Sequence, residues 1–96
     1  LMLIDIDYFK QYNDHYGHLG GDKCLQHIAR ILRRVVRRGT DLAARFGGDE
    51  IAVILFNTAL EHARNISLEI QQELYHEQLP HSGSPWGLIT LSIGVV

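Results

Sequence analysis

The feature that most restricts the fold of this chain is the spacing of its hydrophobic residues. This spacing changes along the chain between the repeat of a helix and the repeat of a strand. Residues 1–6 form a short, branched apolar run that is typical of a buried strand. Residues 8–17 have a mixed pattern with turn-forming residues, and no regular element is predicted there. A helix is predicted to begin after Gly20 and Gly21, with Asp22 as its N-cap, and to stop at Gly39. Its apolar face consists of Leu25, Ile28, Ala29, Leu32, Val35 and Val36.

The second half of the chain shows the same changes of spacing. Residues 41–46 and 51–56 are typical of two strands, and Gly47 and Gly48 between them predict a hairpin because glycines supply the positive φ of tight turns. Residues 58–61 form a capping box that starts a second helix. A final strand is predicted from the alternation of Ile89, Leu91, Ile93 and Val95. This order predicts an α+β domain with helices packed on one face of a sheet.

Length and composition exclude several classes of protein. The 96 residues fit one domain, and they contain no apolar run of the ~18 residues that cross a bilayer. The net charge of −2 provides no basic field, so nucleic acid is not an expected partner. Cys24 is the only cysteine, so an internal disulfide is impossible and a reducing, cytoplasmic setting fits best.

Two groups of acidic residues could carry chemistry. Asp5 and Asp7 end the first strand, and residues two apart in a strand point the same way, so both carboxylates would meet solvent together. Hard oxygen ligands of this kind suit Mg²⁺, whereas the simpler interpretation is that acids end the strand. Asp49 and Glu50 follow the two glycines of the hairpin. They either face a ligand at its tip or belong to a solvated turn.

A third polar group surrounds the turn before the long helix. Guanine offers two N–H donors on one edge, which suit the Asp22 carboxylate, and the Asn13 amide offers both a donor and an acceptor. Lys10 could meet a phosphate, and His18 lies in the same segment. Each of these residues could equally be a solvated polar group, and Asp22 could instead be occupied as the helix cap.

Taken together, the motifs resemble the GGDEF domain of diguanylate cyclases over essentially the whole chain. The similar blocks are residues 5–10 (DIDYFK), 13–14 (ND), 17–18 (GH), 21–22 (GD), 45–51 (RFGGDEI) and 91–95 (LSIGV). The resemblance implies a ferredoxin-like sheet of the palm type, as in nucleotidyl cyclases, with the Gly-Gly-Asp-Glu sequence on a β-hairpin. It also implies that residues 1–96 are the central portion of the domain, without the family's N-terminal lead-in segment and C-terminal strand and helix.

The activity that the resemblance implies is the condensation of two GTP molecules into cyclic di-GMP, with release of two pyrophosphates. A homodimer is implied because each domain holds one GTP and two domains must face each other. Two Mg²⁺ or Mn²⁺ ions in each half-site would stabilise the displacement at phosphorus. The implied metal ligands are Asp5, Asp49, Glu50 and the backbone carbonyl of Ile6. The implied catalytic residues are Asp49, Glu50 and Lys10.

The resemblance also implies which residues bind the substrate. Asn13 and Asp22 match the pair that reads guanine, and His18 matches a histidine that contacts the substrate. Tyr8 and Phe9 match backbone contacts to the triphosphate. The substrate is therefore expected to lie along the segment that joins the first strand to the long helix.

The resemblance also implies a site for the product, and the chain departs from the family at one position of the hairpin motif. Arg38 and Asp41 match an RxxD element that binds cyclic di-GMP in feedback inhibition, although alone they indicate only a helix end and a turn. Ile51 stands where the family has Phe, at a strand position that we expect to be buried. The family's further phosphate-binding basic residues would follow residue 96, so weak or no turnover is expected from residues 1–96 alone.

A regulatory GGDEF module that binds GTP or cyclic di-GMP without catalysis is the alternative function. The retained acids of the hairpin favour the enzyme, because degenerate modules usually lose them. The expected location is cytoplasmic, and this is compatible with a parent protein anchored to a membrane through other segments.

Overall fold

The chain forms one antiparallel sheet with two helices, as seen in a computed structural model that describes residues 1–37 and 41–96. The strands are β1 (Met2–Ile6), β2 (Leu42–Arg45), β3 (Glu50–Ile54) and β4 (Leu91–Val95), and the helices are α1 (Phe9–Val35) and α2 (Leu60–Glu77). The sheet has the order β2-β3-β1-β4. The chain order β-α-β-β-α-β with this sheet is ferredoxin-like, which confirms the predicted α+β fold.

The core lies on one face of the sheet. Met2, Ile4 and Ile6 of β1 are at most 2% exposed, whereas Leu3 between them is 45% exposed. The helices complete the core with Ile28, Ile31, Leu32 and Val35 of α1 and with Ala63, Ile70 and Leu74 of α2. Burying one such large aliphatic side chain contributes about 2 kcal/mol. The helices therefore pack on the face that the alternation predicts.

Helix α1 begins at Phe9, in a segment for which the sequence predicts no regular element. Phe9, Tyr12 and Tyr16 have the spacing of one helix face. Their rings are in contact, with centroids 6.2 Å apart for the first pair and 4.4 Å for the second. Packing of this aromatic row outweighs the weak helix propensity of the Asn, Asp and His residues between them.

A break at Gly17 divides α1 into two helical segments. Gly17 has φ 79° and ψ 170°, a conformation that favours glycine. The second segment therefore starts before the predicted position, and Asp22 lies within it. The predicted N-cap role of Asp22 is wrong. The last helical residue is Val35, and the predicted stop at Gly39 lies outside the described residues.

The capping box predicted for α2 is also wrong. The N-cap is Ala59, one residue later than expected, and it makes no side-chain cap hydrogen bond. Thr58 Oγ1 donates instead to the carbonyl of Phe56 at 3.0 Å, an alternative that hydroxyl side chains often take. Neither helix of the described chain is long and apolar enough to cross a membrane.

Candidate functional site

The end of β1 and the tip of the β2–β3 hairpin bring acidic residues together. Asp5 is the register partner of Glu50 on β3, and the Ile6 N–H donates to the Asp49 carbonyl at 3.1 Å. Burial and a side-chain hydrogen bond with Asp49 raise the pKa of Asp5. The negative charges of the neighbouring acids raise this pKa further. A cation bound among these carboxylates would relieve their repulsion.

These acids border an open cavity of about 470 Å³, which we call the carboxylate cavity. Its residues come from the end of β1, the first turn of α1, the hairpin and the loop before β4. They include Asp5, Ile6, Tyr8, Lys10, Asp49 and Trp86. The structure thus brings together the predicted metal ligands Asp5, Ile6 and Asp49 with the predicted phosphate contacts. The predicted ligand Glu50 is exposed and lies opposite Asp5 on β3, but it is not among the residues that line the cavity.

The N-terminus of α1 opens into this cavity. Its N-cap is Tyr8, which makes no side-chain cap hydrogen bond, and the first turn contains no acidic residue. The first amide bonded within the helix is that of Tyr12, which donates to the Tyr8 carbonyl at 3.0 Å. The amides of residues 9–11 therefore have no partner within the helix. Together with the helix dipole and the Lys10 ammonium, these amides favour an anion.

The glycines of the hairpin serve a purpose other than the predicted one. The positive-φ glycines of the described chain are Gly17 and Gly87, so the expectation that Gly47 and Gly48 supply positive φ is wrong. A Cβ on Gly47 would lie 3.2 Å from the Glu50 Cβ, which is a tight contact. Gly47 therefore leaves room for the Glu50 side chain to fold back over the turn.

Asp7 lines the carboxylate cavity together with Asp5, and its carboxylate also accepts hydrogen bonds from the β4 side of the sheet. Its carboxylate accepts hydrogen bonds from Thr90 Oγ1 at 2.8 Å and from Ser92 Oγ at 2.5 Å. Its N–H also donates to the Thr90 carbonyl at 3.0 Å. The expectation that Asp5 and Asp7 meet at the end of the strand is therefore confirmed, and Asp7 in addition fastens the end of β1 to β4.

The donor set of the cavity fits a hard divalent cation. Within residues 1–37 and 41–96, no three acidic, histidine or cysteine side chains converge closely enough to hold a metal by themselves. Asp5, Asp49 and the Ile6 carbonyl provide oxygen donors only. Mg²⁺ commonly takes one or two carboxylates and completes its shell with water and phosphate oxygens. The residues therefore fit Mg²⁺ or Mn²⁺ that is bound together with a phosphate.

The residues predicted to read the base lie at the break in α1. The Asn13 carboxamide packs directly against Gly21, where a Cβ would overlap with its Oδ1. Asp22 is the next residue; it is exposed and lines a cleft between α1 and β2. His18 is also exposed and follows Gly17. We call Asn13, Gly17, His18, Gly21 and Asp22 the kink surface, since the break in α1 brings the Asn13 side chain against Gly21, which precedes Asp22.

Of the predicted pair for product binding, the structure describes Asp41 alone. Arg38 lies outside the described residues. Asp41 is half-buried, and its Oδ1 accepts the Phe56 N–H at 3.0 Å. Asp41 thereby ties the start of β2 to the end of β3. Ile51, on β3, is 6% exposed, which confirms its expected buried position.

Two residues of the loop between α2 and β4 were not predicted from the sequence to belong to the site. Trp86 lines the carboxylate cavity, and its ring meets the Tyr8 ring edge-on at 5.9 Å between centroids. His81 is fully buried, and its Nε2 lies 2.9 Å from the Tyr8 carbonyl. A lone Trp in a loop of Ser, Gly and Pro was the available signal for Trp86. No local pattern points to His81, because its partner is distant in sequence.

The sheet order defines a ferredoxin-like domain, in which the acids at the end of β1 and the N-terminus of α1 face one open cavity. The family model described as "Diguanylate cyclase, GGDEF domain" matches residues 1–96. The chain therefore belongs to the GGDEF domain family of diguanylate cyclases.

Individual relatives agree with this assignment. Diguanylate cyclase A of Treponema denticola is 38% identical over 95 residues, covering 99% of this chain and 25% of that protein. Diguanylate cyclase VdcA of Vibrio cholerae is 40% identical over 100 residues, covering 100% of this chain and 29% of that protein. The chain thus spans about a quarter of the length of these curated relatives.

Solved structures share the fold. The GGDEF domain of DgcB from Caulobacter crescentus, in complex with c-di-GMP, has a TM-score of 0.83 and 34% identity, over 97% of this chain and 55% of that one. The active GGEEF domain of a diguanylate cyclase from Vibrio cholerae has a TM-score of 0.81 and 32% identity, over 97% of this chain and 57% of that one. The chain therefore covers just over half of each solved chain.

Proposed function

We propose that this chain is the catalytic region of a diguanylate cyclase that condenses two GTP molecules into cyclic di-GMP and releases two pyrophosphates. The observation that carries the proposal is the approach of Asp5 to Asp49 in a cavity that also contains the N-terminus of α1. Similarity to proteins named diguanylate cyclases, and to a GGDEF domain solved with c-di-GMP, supports it.

The triphosphate binds at the first turn of α1 in this proposal. The amides of residues 9–11, which include those of Phe9 and Lys10, donate hydrogen bonds to phosphate oxygens. The Lys10 ammonium adds a positive charge that offsets the charge developing in the transition state. The open cavity beside this turn leaves room for the phosphates.

Asp5, Asp49, Glu50 and the Ile6 carbonyl are the proposed ligands of two Mg²⁺ or Mn²⁺ ions in each half-site. When bound, these ions supply positive charge at the phosphorus that is attacked and at the pyrophosphate that leaves. An Asp49 carboxylate oxygen accepts the proton of the attacking 3′-hydroxyl. Glu50, the next residue in the chain, would supply a further carboxylate ligand to these ions beside Asp49.

The kink surface binds guanine in this proposal. The Asp22 carboxylate accepts the two N–H groups on one edge of the base, and the Asn13 amide adds a donor and an acceptor. His18 contributes a further contact to the substrate. Support comes from the exposed position of Asp22 within α1, where its carboxylate is not taken up as a helix cap.

The reaction requires two copies of the chain. Each copy offers one cavity and one kink surface, so each holds one GTP, and a two-fold arrangement lets each 3′-hydroxyl attack the other nucleotide. Arg38 and Asp41 are the proposed site at which cyclic di-GMP inhibits the enzyme. A cytoplasmic location follows from the use of GTP as substrate and fits the single, buried Cys24.

The direct test is turnover by the full-length natural protein. Incubation with GTP and Mg²⁺, followed by chromatography, should yield cyclic di-GMP and pyrophosphate in a ratio of one to two, with ATP giving no product. The rate per chain should rise with protein concentration, because the active species is a dimer. Binding of GTP or cyclic di-GMP without any turnover would instead identify the chain as a regulatory module.

A further inference from the structure

His81 lies beneath the turn that leads from β1 into α1, and both of its ring nitrogens are engaged. The side chain is 0% exposed. The Gly83 N–H donates to Nδ1 at 3.2 Å, so Nδ1 is the acceptor of the ring. Nε2 is then the nitrogen that carries the proton, and it donates to the Tyr8 carbonyl at 2.9 Å. The two hydrogen bonds together define one neutral tautomer.

The partner of His81, Tyr8, has an unusual backbone conformation. Its φ of 57° and ψ of 35° are left-handed, a conformation that is unfavourable for a residue with a side chain. Such a conformation persists where its surroundings fix it. The Tyr8 carbonyl accepts hydrogen bonds from both the His81 ring and the Tyr12 amide, and these hold it in place.

The loop that carries His81 is itself well fixed. The His81 N–H donates to the Gly87 carbonyl at 2.9 Å, and the Ser84 N–H donates to the His81 carbonyl at 3.2 Å. Ser84 Oγ donates to the Leu88 carbonyl at 3.0 Å. The ring of Tyr12 packs edge-on against the His81 ring, with centroids 5.0 Å apart. The loop therefore offers a rigid donor to the Tyr8 carbonyl.

The conformation of Tyr8 determines where the first amides of α1 point, because it sets the direction in which the chain leaves β1. These are the amides that the proposed function assigns to the triphosphate. We propose that His81 is a positioning residue for nucleotide binding: its Nε2–H holds Tyr8 in the left-handed conformation that presents the amides of residues 9–11 to phosphate. This inference rests on the proposed function and does not require His81 to touch the substrate.

Two substitutions of His81 distinguish the role of its Nε2–H hydrogen bond from the role of its side-chain volume. In His81→Gln the amide nitrogen can occupy the position of Nε2 and donate to the Tyr8 carbonyl, whereas the shorter side chain of His81→Asn cannot reach it. We expect His81→Asn to raise KM for GTP about tenfold with a smaller change in kcat, and His81→Gln to recover most of this loss. His62→Asn, at an exposed position of α2, is the matched control.

Binding should change in parallel with KM. Calorimetry can measure the binding of guanosine 5′-(α,β-methylene)triphosphate in the presence of Mg²⁺. The Kd should be about tenfold higher for His81→Asn than for His81→Gln. A role in folding alone would reduce the fraction of active enzyme, and hence kcat, without raising KM or Kd. Equal KM and Kd values for His81→Asn and the unmodified protein would overturn the inference.

The ring tautomer can be measured without any substitution. Long-range ¹H–¹⁵N NMR of the unmodified protein should show a proton on Nε2 of His81 and none on Nδ1. A proton on Nδ1 would contradict the inference even if the variants were too unstable to assay. Failure of the unmodified protein to bind GTP or form cyclic di-GMP would instead contradict the proposed function, so the two results are distinguishable.

Discussion

The carboxylate cavity and the kink surface are built in opposite ways. The cavity draws on residues far apart in sequence, because β1, the hairpin and the loop before β4 meet only in the folded sheet. It also brings like charges together, and these add to the effects of burial and of the hydrogen bond with Asp49 in raising the pKa of Asp5. The kink surface comes from one helix and depends on close packing between Asn13 and Gly21. Substitutions in the cavity should therefore alter the properties that depend on charge, namely the rate of the reaction and the stability of the protein. Substitutions in the kink surface should alter the preference for GTP over ATP.

The largest expected effect is that of removing one charge from the cavity. Asp49→Asn keeps the size of the side chain but removes a proposed metal ligand and proton acceptor. We expect the rate of cyclic di-GMP formation to fall about 10³-fold, measured by chromatography of the product. Glu61→Gln, an equivalent change at an exposed position of α2, should leave the rate unchanged. A rate for Asp49→Asn within a factor of about two of the unmodified protein would remove Asp49 from the mechanism.

A smaller and different effect is expected at the kink surface. In Gly21→Ala the new Cβ displaces the Asn13 carboxamide, whose far end can move without disrupting the core. We expect the preference for GTP over ATP, measured as the ratio of kcat/KM values, to fall about tenfold because one hydrogen bond to the base is misaligned. The fold should remain intact.

The control for this substitution is Gly94→Ala, where a Cβ would meet no described atom within 4 Å. This variant should keep the selectivity of the unmodified protein. If Gly21→Ala also kept that selectivity, Asn13 would not read the base from its present position.

The smallest expected effect concerns stability. The pKa of Asp5 is raised above its ordinary value of 3.8, so its contribution to stability is fully present below pH 3.8 and is lost as pH rises through the pKa of the folded state. In the absence of metal, Asp5→Asn should therefore unfold at a higher temperature than the unmodified protein at neutral pH. The two proteins should show a smaller difference below pH 3.8.

Thermal unfolding in a chelating buffer across this pH range measures the effect. Added Mg²⁺ and nucleotide should reverse the order, because they stabilise only the protein that retains the carboxylate. A lower midpoint for Asp5→Asn in metal-free buffer at neutral pH would show that the acids of the cavity do not repel one another.

Periodic patterns made the core and the element order predictable. The alternation of Met2, Ile4 and Ile6 and the helical repeat around Ile28 each depend on neighbours within one element. Local chemistry was a poorer guide at the ends of elements. Packing of the aromatic row extended α1 to Phe9. The second segment of α1 begins just after Gly17, so Asp22 lies within the helix and not at its cap.

The candidate site was predictable only where a motif marks it. The hairpin acids and Asp5 stand in recognisable motifs, and the resemblance to the GGDEF family places both in one site. The hydrogen bonds of Asp7 were not predictable, because its partner Thr90 just before β4 and its partner Ser92 on β4 are more than 80 residues away. His81 was missed for the same reason, since its partner Tyr8 is separated from it by 73 positions. Contacts of this range follow from the folded sheet and leave no local signal.

Metal binding at Asp5 and Asp49 tests the central claim most directly. The measurement is an electron paramagnetic resonance titration of Mn²⁺ into the full-length protein with guanosine 5′-(α,β-methylene)triphosphate, which prevents turnover. We expect bound Mn²⁺ in the unmodified protein and a loss of at least about tenfold in its affinity in both Asp5→Asn and Asp49→Asn. Equal Mn²⁺ affinity in the unmodified protein and both variants would contradict the account.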